Sequence, residues 1–450
     1  MKDKKYLFVE MPIPKAVATL SIPMVISSLV MVIYNLADTY FVGMLNNSIE
    51  TAAVTLAAPV LLSFSAITNL FGVGCSSLMS RALGMQEYKM VKQTSVFGIY
   101  CCILFASILS LSSTVFRTPL LHLLGAQADT ISSTEEYMFW TVSCGAVPAI
   151  LNVVMANMVR SEGSAFHASI GTMSGCLLNI VLDPLFILPW GLNMKAAGAG
   201  CATFISNCVA CLYFFFLIYK KRKSTFVCVK PSLFTLNGQI IREVCKVGIP
   251  AMIQNLLNVT GMTILNNFTA EFGAEAVSAM GITHKINMIP MYIAMGTGQG
   301  IMPLVGYNYA SKNAKRMKSA ILFTAKLEVG FILIVTAFYF FQSDFIISIF
   351  MKDPTIVMYG ARLLKGFCLG LVFLSIDFLG VGIFQAVGMG KESFIFALMR
   401  KVVLEIPAII VLNKIWPLYG LAYSQLIAEF FLAIAAIYVL RKLFRKVDAA

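Results

Sequence analysis

Runs of twenty or more apolar residues, separated by short polar breaks, recur from one end of the chain to the other. At about 1.5 Å of rise per residue, each run is long enough to cross a hydrocarbon core of about 30 Å as a helix. Helices are the natural solution because a spanning segment must satisfy its own backbone hydrogen bonds. The pattern predicts twelve spans, at 16–44, 53–80, 93–115, 131–157, 165–188, 195–219, 241–270, 276–306, 318–342, 355–385, 394–413 and 418–441. The fold class is therefore expected to be all-α, a polytopic membrane protein with twelve transmembrane helices. No small-residue cleavage site ends the first run, so that span is expected to stay in the mature protein.

The one long polar interruption, "YKKRKSTFVCVKPSLFTLNGQIIREVCK" at 219–246, falls near the midpoint. On either side the pattern repeats. "LSIPMVISSLVMVIYNLADTYFVG" (20–43) can be laid over "VGIPAMIQNLLNVTGMTILNNFTA" (247–270), which sets Pro23 on Pro250. Likewise "NLFGVGCSSLMSRALG" (69–84) follows the rhythm of "YIAMGTGQGIMPLVGYNYASK" (292–312), with Gly72–Gly74 on Gly298–Gly300. The expected organisation is an N-terminal six-helix bundle at 1–219, a cytoplasmic linker at 220–240 and a C-terminal six-helix bundle at 241–450. Six is even, so the two pseudo-symmetric bundles share one orientation, an arrangement transporters commonly use to hold a solute between halves.

Composition agrees with a lipid environment: of 450 residues, 59% are hydrophobic and 12% charged. The net charge of +13 raises the question of nucleic acid, but the placement of the charges answers it. Of the 34 Lys and Arg, roughly 26 fall before span 1 or at or near the span ends and breaks on its side, against 6 on the other side. The positive-inside rule places that first side, and both termini, in the cytoplasm. The basic excess thus reads as topology, with no nucleic-acid partner. Eleven cysteines lie scattered, many within spans, without metal or disulfide spacing, and read as small packing residues. No nucleophile, metal or cofactor motif is present, so neither an enzyme nor a bound cofactor is expected.

Ionisable residues inside spans need a reason, since a charge at the bilayer centre costs roughly 2.5–3.5 kcal/mol on insertion scales. Asp38 in span 1 stands one turn from Asn35; Asn179 and Asp183 in span 5 are at i and i+4, stacking an amide on a carboxylate. Brought together, the two carboxylates and their amides would hold one cation or one proton. The alternative is that Asp183 caps the backbone freed by Pro184 while Asp38 lies near the outer interface. Thr203 in span 6 either adds a hydroxyl ligand or bonds its own helix; Tyr137 either lends a phenol to the cavity or belongs to the interfacial aromatic belt. His284, Lys285, Asp377 and Glu405 are candidates for a charge network in the second half, with Lys285 a possible partner for Asp377 and a structural ion pair as the alternative. Lys326 and Glu328 are read as interfacial, and Glu429 as bonding a neighbouring helix. Pro23 and Pro250 each weaken the first helix of a half, and a bend at Pro23 is either a switch or a fixed kink. The "FGVG" and "GTGQG" glycines let helices approach closely. Twenty-five Met and 34 Phe suit either a deformable apolar cavity or a lipid-facing surface.

Together, "IPMVISSLVMVIYNLADTYFVG", "NLFGVGCSSLMSRALG", "LNIVLDPLFI" followed by "GAGCATFISN", and "GIPAMIQ…MGTGQGIMPLVGYNYASK" resemble the multidrug and toxic compound extrusion (MATE) transporters, and among them the bacterial DinF-like branch. The likeness runs through all twelve spans. It implies two six-helix bundles around a V-shaped cavity and drug efflux driven by inward H⁺ or Na⁺. It also implies a cation site at Asp38, Asn179, Asp183 and Thr203, a cavity tyrosine at or near Tyr137, and a bending proline at Pro23. Glu405, before Pro407, and Lys285 depart from the more apolar second half of that branch.

The function expected is secondary antiport: export of amphipathic, often cationic drugs across the bacterial plasma membrane in exchange for H⁺ or Na⁺. Asn35 and Tyr137 would face the substrate. A single chain supplies both walls, so a monomer in the lipid bilayer suffices. Two other classes compete. A lipid-linked oligosaccharide flippase would line its cavity with several arginines for pyrophosphate, and a scaffold or receptor would move no solute at all.

Overall fold

The computed structural model describes residues 5–449. Twelve long helices follow one another: α1 (Ile13–Gly43), α2 (Ser48–Gly84), α3 (Tyr88–Val115), α4 (Ile131–Cys144 with Ala146–Ser161), α5 (Ala165–Ile187), α6 (Lys195–Lys220), α7 (Gly238–Ala270), α8 (Ala274–Ala310), α9 (Ala314–Phe341), α10 (Pro354–Ala386), α11 (Gly390–Leu398, Met399–Glu405 and Ile406–Ile415 in succession) and α12 (Tyr419–Asp448). They match the expected spans in number and order. Most run several residues longer than the apolar pattern alone indicates, and polar side chains cap the starts of three of them. The Asn47 side chain accepts from the Ile49 N–H to start α2. Asp353 accepts from Thr355 and Ile356 to start α10, with Pro354 in the first turn, where its missing N–H costs nothing.

Three spans depart from regular α-geometry. Wider π turns occupy Asn69–Val73 in α2, Phe139–Cys144 in α4 and Met399–Glu405 in α11, and α4 is bent by 46° at its break. Such turns redirect side chains within a helix and recur at functional positions.

The chain forms two compact units. The first comprises Ile26–Met252; the second comprises Lys5–Val25 together with the chain from Ile253 onward. Each membership change falls inside a helix, two residues past a proline: Pro23 in α1 and Pro250 in α7. In the first unit, Ala53, Ala57, Tyr137, Met138, Val142 and Ile187 belong to one apolar core. In the second, Ile286, Ile332, Leu364, Cys368 and Leu371 join α8, α9 and α10.

Glycines set the closest helix approaches, as their motifs indicated. A Cβ on Gly74 would lie 2.5 Å from the Val244 carbonyl oxygen within the first unit, and one on Gly300 would lie 2.7 Å from the Ser21 Cα within the second. The segment after α6, expected to be a linker, runs along the first unit. Glu162 accepts from the Thr225 hydroxyl (2.8 Å) and the Phe226 N–H (2.7 Å), and Tyr100 donates to the Val229 carbonyl (3.2 Å). The N-terminal stretch is held equally firmly in the second unit. Phe8 stacks on Tyr307 at 4.7 Å, and the Arg316 guanidinium donates to the carbonyls of Leu7, Phe8 and Met11.

These contacts give a direct test. Gly74→Ala, which drives a methyl into a backbone carbonyl, should lower thermal stability by about 1–3 kcal/mol. Gly330→Ala, whose methyl meets nothing within 4 Å, should leave it unchanged or slightly raised when both are melted in detergent.

Candidate cation and solute site in the first unit

On α1, Tyr34 and Asp38 are separated by one turn and share a face, and both are half-buried. Asn35 sits on a neighbouring line and is exposed. On α5, Asn179 and Asp183 are almost completely covered, at 2% and 0% exposure. With the Asn179 amide oriented to satisfy both neighbours, its NH₂ donates to the Asp183 carboxylate at 2.8 and 3.2 Å. Its oxygen accepts from the Thr203 N–H at 3.0 Å and hydroxyl at 3.2 Å. One amide therefore ties α5 to α6 and fixes where the Asp183 carboxylate points.

The geometry shows what each of these side chains meets. Among the described residues, the donor to Asp183 is the Asn179 side chain rather than backbone freed by Pro184. The Thr203 hydroxyl meets the Asn179 amide instead of folding back on its own helix. Tyr137 is buried inside the unit, at 6% exposure, and does not sit in an outer aromatic belt. It lies within electrostatic reach of Asp38, Tyr34 and Asp183, and Asp38 acts on Asp183 directly through space. The two carboxylates thus share one recess bounded by α1, α4, α5 and α6.

Tyr34 belongs to this recess and was not singled out from the sequence. Its phenol lies beside the Thr203 side chain and neighbours Asp38, Asp183 and Cys176. The signal was available, since Tyr34 precedes Asp38 by four residues, but an aromatic in an apolar run usually reads as packing. The chemistry offered is two carboxylates, a hydroxyl and two phenols, an all-oxygen set suited to a proton or a hard monovalent cation. No group of three or more His, Cys, Asp or Glu able to hold a metal occurs among the described residues.

The charges of the second unit group differently from expectation. Asp377 faces Arg400, at 3.7 Å, and not Lys285; the same guanidinium pairs with Glu429 at 2.6 Å and lies over the Phe378 ring. Glu405 pairs with Lys401 at 2.6 Å, and His284 is near that pair while its ring packs against Phe367. Lys285 is exposed and stands outside the network. Arg400 and Lys401, two of the basic residues counted on the first side, lie in the π turn of α11, and each pairs with an acid. Glu328 is not interfacial either: it is buried at 3% exposure, halfway along α9.

Comparison with known proteins agrees with this architecture. The MatE family model matches residues 23–185 and 250–411, one stretch in each half and each beginning at the paired proline. The multidrug export protein MepA of Staphylococcus aureus (strain MRSA252) is 34% identical over 447 residues, covering 98% of this chain and 97% of its own. A solved structure described as MATE in the straight conformation superposes with a TM-score of 0.93 at 25% identity, covering all of both chains. Another, described as MATE in the bent conformation, gives 0.91 at 25% identity, covering 100% of this chain and 99% of its own. The repeat, the twelve helices and these matches over most of the chain lead to one assignment: the protein belongs to the MatE family of multidrug and toxic compound extrusion transporters.

Proposed function

We propose that this protein is a secondary antiporter that exports amphipathic, often cationic compounds across the bacterial plasma membrane in exchange for H⁺ or Na⁺, with both termini in the cytoplasm. The observation that carries the reading is the shared recess of Asp38 and Asp183, closed by Tyr34, Tyr137, Asn179 and Thr203. Two carboxylates at membrane depth repel one another, and a proton or small cation relieves that repulsion. The similarity to a multidrug export protein along nearly the whole length supports the solute class.

In this mechanism Asn179 holds Asp183 in place, so the carboxylate that varies its partner is Asp38, half-buried and without a fixed donor among the described residues. An ion taken up between them favours one arrangement of α1 over another. Pro23, where the backbone lacks a donor, is the natural position for α1 to bend. Coupling requires only that the ion bind one conformation of the transporter more tightly than the other; the solute then feels the same difference in reverse. The neighbours described as straight and bent conformations support a backbone of this shape having two states.

Two measurements test the reading. Asp38→Asn and Asp183→Asn should each reduce ethidium efflux from reconstituted vesicles to background at normal expression, under imposed ΔpH and ΔNa⁺ applied separately. Undiminished efflux in either variant removes that carboxylate from the mechanism, and zero flux of the unaltered protein under both gradients favours a non-transporting role. Tyr34→Phe, which removes one hydroxyl at Thr203, should weaken ion-dependent efflux about fivefold, the equivalent of about 1 kcal/mol, with folding unaffected.

A further inference from the structure

Among the buried ionisable groups, Glu328 has surroundings unlike any other. It lies fourteen residues into α9, roughly 21 Å from the start of the helix at 1.5 Å per residue. It occupies the centre of the stripe Met317, Ile321, Thr324, Glu328, Ile332, Thr336 and Tyr339, the buried face of α9. Both carboxyl oxygens are sealed from solvent and neither has a hydrogen-bond partner. The hydroxyls of the two threonines on this face are spoken for: Thr324 donates to its own Ala320 carbonyl (2.9 Å), and Thr336 to the Cys368 carbonyl (3.1 Å).

Nor does any charge on the elements packed against α9 answer it. On α8, His284 stands by Lys401 and Glu405, while Lys285 and Glu275 are exposed. On α10, Asp377 faces Arg400, Arg362 covers the Tyr419 ring, and Lys365 faces Asp344 of the short helix Ser343–Phe350. On α12, Glu429 pairs with Arg400 and Asp448 with Lys318. Lys326, on α9 itself, is exposed.

An ionised carboxylate so placed would have neither water, nor donor, nor counter-charge, and such a state is avoided by binding a proton. We propose that Glu328 is a proton-binding site of the second unit: a neutral carboxylic acid while α9 is packed, exchanging its proton with water when α9 parts from α8 and α10. The packed arrangement requires the proton, and its loss requires that the helices open. Glu328 thereby links protonation to the packing of the second unit, independently of which ion occupies the Asp38–Asp183 recess.

A neutral acid at this depth is also a target for a membrane-soluble carbodiimide. The carboxyl oxygen adds to the central carbon of dicyclohexylcarbodiimide while the acid proton passes to a nitrogen. Migration of the acyl group from oxygen to nitrogen then leaves an N-acylurea carrying the whole reagent, with no other reactant consumed.

Infrared spectra of the purified full-length protein, recorded in H₂O and D₂O, test the proposal. The expected result is a protonated-carboxyl carbonyl band that is lost in Glu328→Gln and moves to lower frequency in D₂O. Asp38→Asn and Asp183→Asn leave that band in place, which separates it from the first unit. If Glu328→Gln fails to fold, mass spectrometry of the carbodiimide-treated unaltered protein decides, with an adduct on the Glu328 peptide expected. A Glu328→Gln spectrum that loses no such band shows an ionised carboxylate and overturns the proposal. So does a band that D₂O never moves, or, where the variant cannot be made, the absence of the adduct: either marks a carboxyl that never opens.

Discussion

Polar side chains at membrane depth have little but one another to bond with, and the Asn179 amide shows how much can follow from one such bond. Its NH₂ reaches the Asp183 carboxylate one turn along α5, and its oxygen reaches Thr203 on α6. A single neutral group thus locks two helices and aims a carboxylate, without adding a charge of its own. Because the donor is neutral, Asp183 is not tied to a fixed counter-charge, as an arginine in the same place would tie it. Tyr34, Tyr137 and Asp38 then complete a recess that is polar but not self-neutralising.

The second unit solves the same problem in the opposite way. Asp377 and Glu429 share the Arg400 guanidinium, and Glu405 has Lys401 to itself. Paired charges of this kind hold helices in register and have little freedom to trade partners, since removing either member strands the other. Glu328 represents a third solution, burial with no partner at all. Three chemistries of the same carboxylate group therefore coexist in one chain: hydrogen-bonded to neutral donors, paired with cations, and solitary.

Prolines mark where the chain passes from one unit to the other. The chain changes compact unit inside α1 and again inside α7, each time two residues beyond a proline. At a proline the helix lacks one backbone hydrogen bond, so bending there costs less than elsewhere. Glycines act the other way within each unit: Gly74 against Val244 and Gly300 against Ser21 permit backbone contacts that any side chain would prevent. Rigid contacts within units and weakened helices at their margins are what a two-state transporter needs.

Much of this was legible in the residues. The apolar pattern indicated the helices and their order, and the i, i+4 spacing of Asn179 and Asp183 determined that amide and carboxylate would meet, because neighbours along one helix face require no knowledge of the fold. Contacts between helices were not so determined. Sequence order gives no indication that Arg400 would serve Asp377 and Glu429, that Lys285 would face away, or that Tyr34 would join Thr203, since helices far apart in the chain meet only through packing. The π turn at Met399–Glu405 shifts the angular phase of every residue that follows it in α11, which a 3.6-residue period read from the sequence does not register. Local spacing fixed which groups each helix could offer; the tertiary structure decided which of them would find a partner, and left Glu328 without one.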